Sequence, residues 1–484
     1  MSPIDLHAAL PEIILTGALL LVLCVDLFLP DEKKKWNGLV ALAGVIGSLI
    51  AVATLVGERR TTFAGMFVID AYALLFKFLF LAVAVIVILI SADYLDTNTR
   101  NAQGEFYFLL LSSFLGMLLM ASARDLIMLF VALELVSAPG FLVAGFKKRD
   151  ARSNEAAIKF FLFGVLSTAI MLFGMSMIYG VTRATNLTDI ASALQSRGDD
   201  PLVFASILLI LAGFGFKVSA VPFHFWAPDT YEGSPIPVAA FLSVASKAAG
   251  FAGMLSLMFV GFVHQTSAWA PGFAVLAVLT MTIGNVVALT QTNIVRLLAY
   301  SSIAQAGYML LPFAVVEGAS PEVLREAFAA SLTYILIYSF MNIGAFAVVI
   351  AVARKQPSNL ISDYDGLAQR EPGLAAAMLF FLLSLAGIPP LAGMWAKFFV
   401  FSAAIDGNSA WLAAVMVVNS VIGLYYYLSV GSRMYLRPAE DSSPLGVPYP
   451  VAVAIALALI VVIAVGIYPD FFNHFSPRST LVSG

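Results

Sequence analysis

The chain has one cysteine, Cys24, and four scattered histidines, His7, His224, His264 and His474, and only 11% of it is charged. Disulfides, thiolate zinc sites and iron–sulfur clusters each need several such ligands, so all three are excluded. The histidines offer no pair of haem ligands, and no Gly-rich phosphate loop follows a strand. The chain itself therefore carries no evident redox cofactor. A formal charge of −3 leaves no basic surface for nucleic acid. What the sequence does have is apolar residues, at 61% of 484. A soluble chain is nearer half apolar and a quarter charged, so a soluble globular protein is excluded too. At roughly 20 apolar residues per span, the length holds about 12 to 15 membrane helices.

Apolar runs fall near 11–30, 36–57, 71–92, 106–122, 126–146, 156–180, 202–226, 236–263, 271–290, 294–315, 327–352, 374–404, 411–434 and 448–469. They predict an all-α polytopic protein of about fourteen transmembrane helices. The polar stretch 183–200 has room for a short surface helix. No cationic region precedes the first run; Lys33, Lys34 and Lys35 follow it, so that run is expected to remain as an anchor. Fourteen loop cations (Lys33, Lys34, Lys35, Arg100, Lys147, Lys148, Arg149, Arg152, Arg296, Arg354, Lys355, Arg370, Arg433 and Arg437) share one side. Seven (Arg59, Arg60, Arg124, Arg183, Arg197, Arg325 and Arg478) share the other. The richer side is expected to be cytoplasmic, with both termini opposite.

Apart from Arg296 and Arg433, which lie within two residues of a run's end and count with the loops, no arginine lies inside the runs. Five lysines do: Lys77, Lys159, Lys217, Lys247 and Lys397. Glu134 is the one acid well inside a span; Glu12 and Asp26 lie nearer helix ends. Arginine is permanently charged, whereas buried lysine and glutamate change protonation state, so this interior is built from groups that titrate. An ionised group at mid-bilayer costs at least ~2.5–3.5 kcal/mol and needs a reason. Snorkelling to the interface is expected for Lys77 and is one of two readings of Lys159, the other being proton transfer. Glu134, Lys217, Lys247 and Lys397 are too deep for it. At ~1.5 Å per residue, Glu134 lies about 12 Å from the outer face, and Lys247 and Lys397 about 17 and 35 Å from the cytoplasmic face. These depths predict a staircase from mid-membrane outwards.

Two spans are expected to break. Pro222 frees the carbonyl of Val218 beside Lys217, and Pro389 and Pro390 free two successive carbonyls before Lys397. His224, two turns from Lys217, is either satisfied by a carbonyl or a proton relay. Interrupted helices are tolerated where they line a polar cavity. The breaks fall in spans seven and twelve, five apart, and Ala212-Gly213, Pro222 and Trp226 are echoed by Ala386-Gly387, Pro390 and Trp395. Five is odd, so two consecutive five-helix units insert in opposite senses. The expected divisions are 1–105 (three N-terminal helices), 106–263 and 271–434 (inverted repeats, spans 4–8 and 9–13), and 448–484 (the last helix and tail).

Four stretches carry a family resemblance: Glu155–Gly164 (EAAIKFFLFG), Phe216–Gly250 (FKVSAVPFHFWAPDTYEGSPIPVAAFLSVASKAAG), Asn293–Met309 (NIVRLLAYSSIAQAGYM) and Ser384–Phe401 (SLAGIPPLAGMWAKFFVF). With its fourteen-span plan the chain resembles the antiporter-like membrane subunits of respiratory complex I. Within them it is most similar to the bacterial N-type, through Tyr231-Glu232-Gly233 after Trp-x-Pro-Asp, Lys397 in span twelve, and an end after span fourteen. By matching position the resemblance makes Glu134 the fifth-span glutamate and Lys217 its ion-pair partner. Lys247 and Lys397 become the central and exit lysines, with Lys159 and His224 as accessory members.

The resemblance implies a proton-translocating subunit of NADH:quinone oxidoreductase in the bacterial inner membrane. FMN, iron–sulfur clusters and quinone are expected in partner subunits, and the partners are other membrane subunits, including a neighbouring antiporter-like one. Two alternatives stand beside it: a subunit of a related multi-component cation/proton antiporter or membrane-bound hydrogenase, and a passive structural subunit.

Overall fold

In lipid every backbone N–H and C=O must be satisfied within the protein, which leaves long Leu-, Val- and Ala-rich runs one option, the helix. The computed structural model describes residues 5–98, 102–197, 200–439, 443–469 and 481. Arg100, His474 and Arg478, and most of the tail after 469, lie outside the described residues. In order come α1 (Leu10–Phe28), α2 (Trp36–Thr54), α3 (Ala71–Asn98), α4 (Gln103–Ser122), α5 (Leu126–Ala144), α6 (Ala151–Thr182), α7 (Leu187–Leu194), α8 (Pro201–Val218) and α9 (Trp226–Gly233). The helix Ile236–Gly261 is built from α10 (Ile236–Phe241), a π-helical turn, α11 (Lys247–Ser256) and a second π turn. Then follow α12 (Thr266–Ala288), α13 (Ile294–Ala314), α14 (Pro321–Ala353), α15 (Leu367–Arg370), α16 (Pro372–Ala386), α17 (Ala392–Asp406), α18 (Ala410–Leu436) and α19 (Tyr449–Ile467).

Thirteen of the described helices are long and apolar enough to cross a membrane. The interrupted pair α16–α17 adds a fourteenth. The short helix expected in 183–200 is α7. One element departs from the all-α expectation: β1 (Arg60–Thr62) pairs antiparallel with β2 (Phe67–Ile69), Thr61 opposite Val68. Gly65, at φ +89°, turns the chain between them.

Ile236–Gly261, α13 and α14 form the buried centre, while α6 shows a largely exposed apolar face. Glycines allow the closest helix approaches: a side chain at Gly116 would sit 2.7 Å from the Val136 nitrogen, and one at Gly284 2.6 Å from the Ala304 nitrogen. Small residues are what such approaches require in a bilayer.

A repeated turn marks spans five apart. The Asp125 side chain caps α5 by accepting from the Ile127 and Met128 N–H groups, and its backbone bridges to Asn186 after α6. Asn293 caps α13 through the Val295 and Arg296 N–H groups, and bridges to Leu360 after α14. Even the flanking backbone bonds correspond: Leu126 N to Thr185 O and Leu187 N to Arg124 O in the first, Ile294 N to Asn359 O and Ile361 N to Thr292 O in the second. Counting spans places the two turns on opposite faces.

Candidate functional site

Both breaks occur, each held by side chains. α8 ends at Val218, with Ser219 left-handed at φ 59°. The Phe216 carbonyl accepts from the Trp226 ring N–H at 3.0 Å, and Phe160 stacks on that ring, which seats α9 beyond the break. α16 ends at Ala386, with Gly387 at φ 89°. Pro389 and Pro390 free the carbonyls four residues earlier, those of Leu385 and Ala386. Gln305 donates to the first at 3.1 Å and the Lys397 ammonium to the second at 2.7 Å.

The three deep lysines have neutral partners. Lys217 Nζ donates to Ser137 Oγ at 2.9 Å. Lys247 Nζ donates to the Ser302 carbonyl at 2.8 Å and hydroxyl at 3.0 Å. Lys397 Nζ also lies 5.0 Å from the Tyr308 ring centre, within cation–π range. Among the described residues none of the three is within ion-pair distance of a carboxylate. Lys247 begins α11 directly after the π turn Leu242–Ser246, and π turns inside helices recur at functional sites.

Three expectations need correction. Glu134 and Lys217 form no direct ion pair. Ser137, one turn along α5, takes the ammonium instead, and Glu134 Oε1 is buried without a hydrogen-bond partner among the described residues.

The staircase of depths is also wrong. Counting 23 residues to Lys397 treats a broken helix as a straight one, yet its ammonium reaches back to Ala386. That level is about 21 Å from the start of α16 by helical rise. By the same rise and from the same face, Lys247 lies about 17 Å deep and Glu134 about 15 Å. The groups form one mid-membrane row.

Lys77 does not snorkel. It is wholly buried, 2.6 Å from Glu12 Oε1, and lies over the Phe67 ring. Glu12, read as nearer a helix end, is buried with it.

Lys159, whose two readings stay open, reaches a charged network at a partly exposed surface. It pairs with Glu155 at 2.8 Å and Asp229 at 2.7 Å, and Arg296 joins Asp229 to Glu232 at 2.8 and 2.9 Å. Burial pushes the Asp229 carboxyl up, but hydrogen bonds from Lys159 and Arg296 outweigh it and hold the carboxyl below its ordinary value. Lys159, His224, Asp229, Arg296 and Tyr300 line a cleft of about 320 Å³. His224 thus faces this cleft beyond the break, its Nδ1 buried without a hydrogen-bond partner among the described residues. Asp229, Glu232 and Arg296 were missed as site residues. Their signal was the charge of Asp229 and Glu232 in an otherwise largely apolar stretch, three residues after Trp226 and one before Gly233.

Among the described residues no three His, Cys, Asp or Glu side chains meet as a metal site would require. A many-helix membrane protein with a row of neutral-partnered lysines beside two helix breaks is the class this fold and site define. The family model described as NADH:quinone oxidoreductase/Mrp antiporter, TM, matches residues 123–423. NADH-quinone oxidoreductase subunit N of Trichlorobacter lovleyi is 41% identical over 482 residues, 98% of this chain and 97% of that one. A chain of respiratory complex I from Thermus thermophilus superposes with a TM-score of 0.78 at 31% identity, covering 95% of this chain and 97% of its own. A chain of an archaeal membrane-bound sulfane sulfur reductase gives 0.86 at 20% identity, covering 99% and 98%. That last likeness is one of fold alone. This chain belongs to the NADH:quinone oxidoreductase/Mrp antiporter transmembrane family.

Proposed function

We propose that this chain is the N-type membrane subunit of a bacterial NADH-quinone oxidoreductase, and that it carries protons along Glu134, Lys217, Lys247 and Lys397. Lys159 and His224 are accessory groups at the cleft. NADH oxidation and quinone reduction take place in other subunits, where FMN, iron–sulfur clusters and quinone reside, and a neighbouring antiporter-like subunit abuts this one. The chain sits in the inner membrane with both termini away from the cytoplasm, following the fourteen-to-seven split of loop cations. The units 106–263 and 271–434 act as inverted repeats around the row, with 1–105 and 448–484 flanking them.

The observation that carries this reading is the neutral partnering of Lys217, Lys247 and Lys397. An amine locked to a carboxylate stays charged, whereas one held by hydroxyls and carbonyls in a low-dielectric interior can exist in either protonation state. Glu134 supplies a charge near Lys217 that favours the ammonium, and a small displacement between α5 and α8 weakens it and releases a proton toward Lys247. Lys397, held on a carbonyl that only the break exposes, passes a proton onward. The test is NADH-driven proton uptake by inside-out vesicles carrying Lys217→Ala, with assembly of the complex checked on native gels. Uptake should be lost at normal assembly; undiminished uptake would leave the chain a structural subunit.

A further inference from the structure

Lys247 follows a π turn, Leu242–Ser246, in the buried helix Ile236–Gly261. A π turn closes its backbone bonds over five residues where an α turn uses four, so it takes up one residue more. Each α-helical residue turns the chain by about 100°. Were the same residues α-helical, Lys247 would point about 100° away from its present direction. The change of bonding is visible at the lysine itself. Its N–H donates to the Val244 carbonyl, not to that of Ser243 four residues back, as an α-helix requires. Helix α14 supplies a donor in its place: Tyr338 Oη donates to the Ser243 carbonyl at 3.2 Å. Asn342 Nδ2, one turn further along α14, donates to the Ser243 hydroxyl at 3.0 Å. That hydroxyl donates in turn to the Ala240 carbonyl at 2.9 Å, which ties both bonds to the helix before the turn. Ser243, Tyr338 and Asn342 are all buried.

We propose that Tyr338 and Asn342 are positioning residues for Lys247: they hold the π turn, and the π turn aims the amine at Ser302. The proposal rests on the proton-transfer reading of Lys247. A buried carbonyl without a donor is costly. In the α form the Ser243 carbonyl already has the Lys247 N–H, so a hydroxyl from α14 favours the π form over it. Asn342 fixes Ser243 against α14, where Tyr338 reaches it. Among the described residues neither side chain is a hydrogen-bond partner of the amine, whose bonds go to the Ser302 carbonyl and hydroxyl at 2.8 and 3.0 Å. With the turn relaxed, the lysine stem swings off Ser302 and the amine leaves the row.

The experiment compares NADH-driven proton uptake in inside-out vesicles of the whole complex for Tyr338→Phe, Asn342→Leu, the pair together, and Lys247→Ala. An ordinary hydrogen bond shifts a two-state population roughly two- to tenfold, so the pair together should slow uptake about fivefold or more at normal assembly. A packing defect would slow it too, and a deletion separates the two causes. Deleting Val244 removes the residue that the π turn holds in excess, so an α-helical path then gives Lys247 its present direction without help from α14. Added to the paired variant, the deletion should restore uptake to within about twofold of the deletion alone. Slowed uptake that the deletion does not relieve would overturn the proposal. So would uptake by the paired variant within about twofold of wild type, beside loss in Lys247→Ala. Failure of the complex to assemble with either Val244 or Ala245 deleted would overturn it as well, because the turn would then do more than set direction. Normal uptake in Lys247→Ala would instead overturn the proton-transfer reading beneath it. Should the paired variant fail to assemble, the same comparison on Tyr338→Phe decides, since it keeps the ring and removes only the hydroxyl: slowing that the deletion relieves supports the proposal, and undiminished uptake overturns it.

Discussion

Lys77→Met would leave Glu12 buried between α1 and α3 without its counter-charge. The pair is 2.6 Å apart, with side-chain exposures of 0% and 7%, so solvent screens neither charge. Among the described residues no hydrogen bond supports either carboxylate oxygen or the ammonium, which leaves charge attraction and the Phe67 ring as the restraints. Removing one partner of such a pair costs about 3–5 kcal/mol, because the survivor is an uncompensated buried charge. Methionine fills most of the lysine stem's volume, so little of that loss comes from packing. Glu12→Gln should cost less, since the orphaned amine can shed its proton. Combining the two removes both charges, and replacing a buried pair by neutral groups is often close to neutral. The assay is thermal denaturation of the purified complex, followed through this chain, for wild type, both single variants and the double. The double variant should melt above Lys77→Met, with a coupling energy of ~2 kcal/mol or more from the cycle. Penalties that simply add would refute the pairing.

Two further outcomes follow from the charge distribution. Asp229, held below its ordinary value of 3.8, contributes stability that is fully present above that value and is lost as pH falls through its lowered one. The melting difference between wild type and Asp229→Asn should therefore be constant near neutrality and shrink only in strong acid; a difference that vanishes near pH 6 would contradict the network around it. A reporter active only in the cytoplasm, fused after Gly484, should stay silent, and a bright signal would reverse the proposed orientation.

Much of the fold was legible because the bilayer constrains it so strongly. Apolar runs located the spans to within a few residues, and proline chemistry located both breaks, down to the Leu385 and Ala386 carbonyls that Gln305 and Lys397 occupy. Depth and partnership were not legible. Helical rise misplaces Lys397 because the count runs through the break, and a lysine's sequence neighbours do not reveal that Glu12 approaches Lys77 from another helix. Resemblance suggested a direct Glu134–Lys217 pair; Ser137 is one turn from Glu134 on the same helix, and only the packing of α8 decides which of the two the ammonium reaches. The paired bridges at Asp125 and Asn293 rest on backbone bonds, to which sequence pattern is blind.

The central claim is that the buried row needs groups able to give up a proton, and Lys247 tests it most directly. Lys247→Arg keeps a positive charge but cannot release its proton at accessible pH. Proton uptake driven by NADH in vesicles should fall as far for Lys247→Arg as for Lys247→Ala, with the complex assembled in both. Full uptake by the arginine variant would show that position 247 supplies only fixed charge, and would contradict the account.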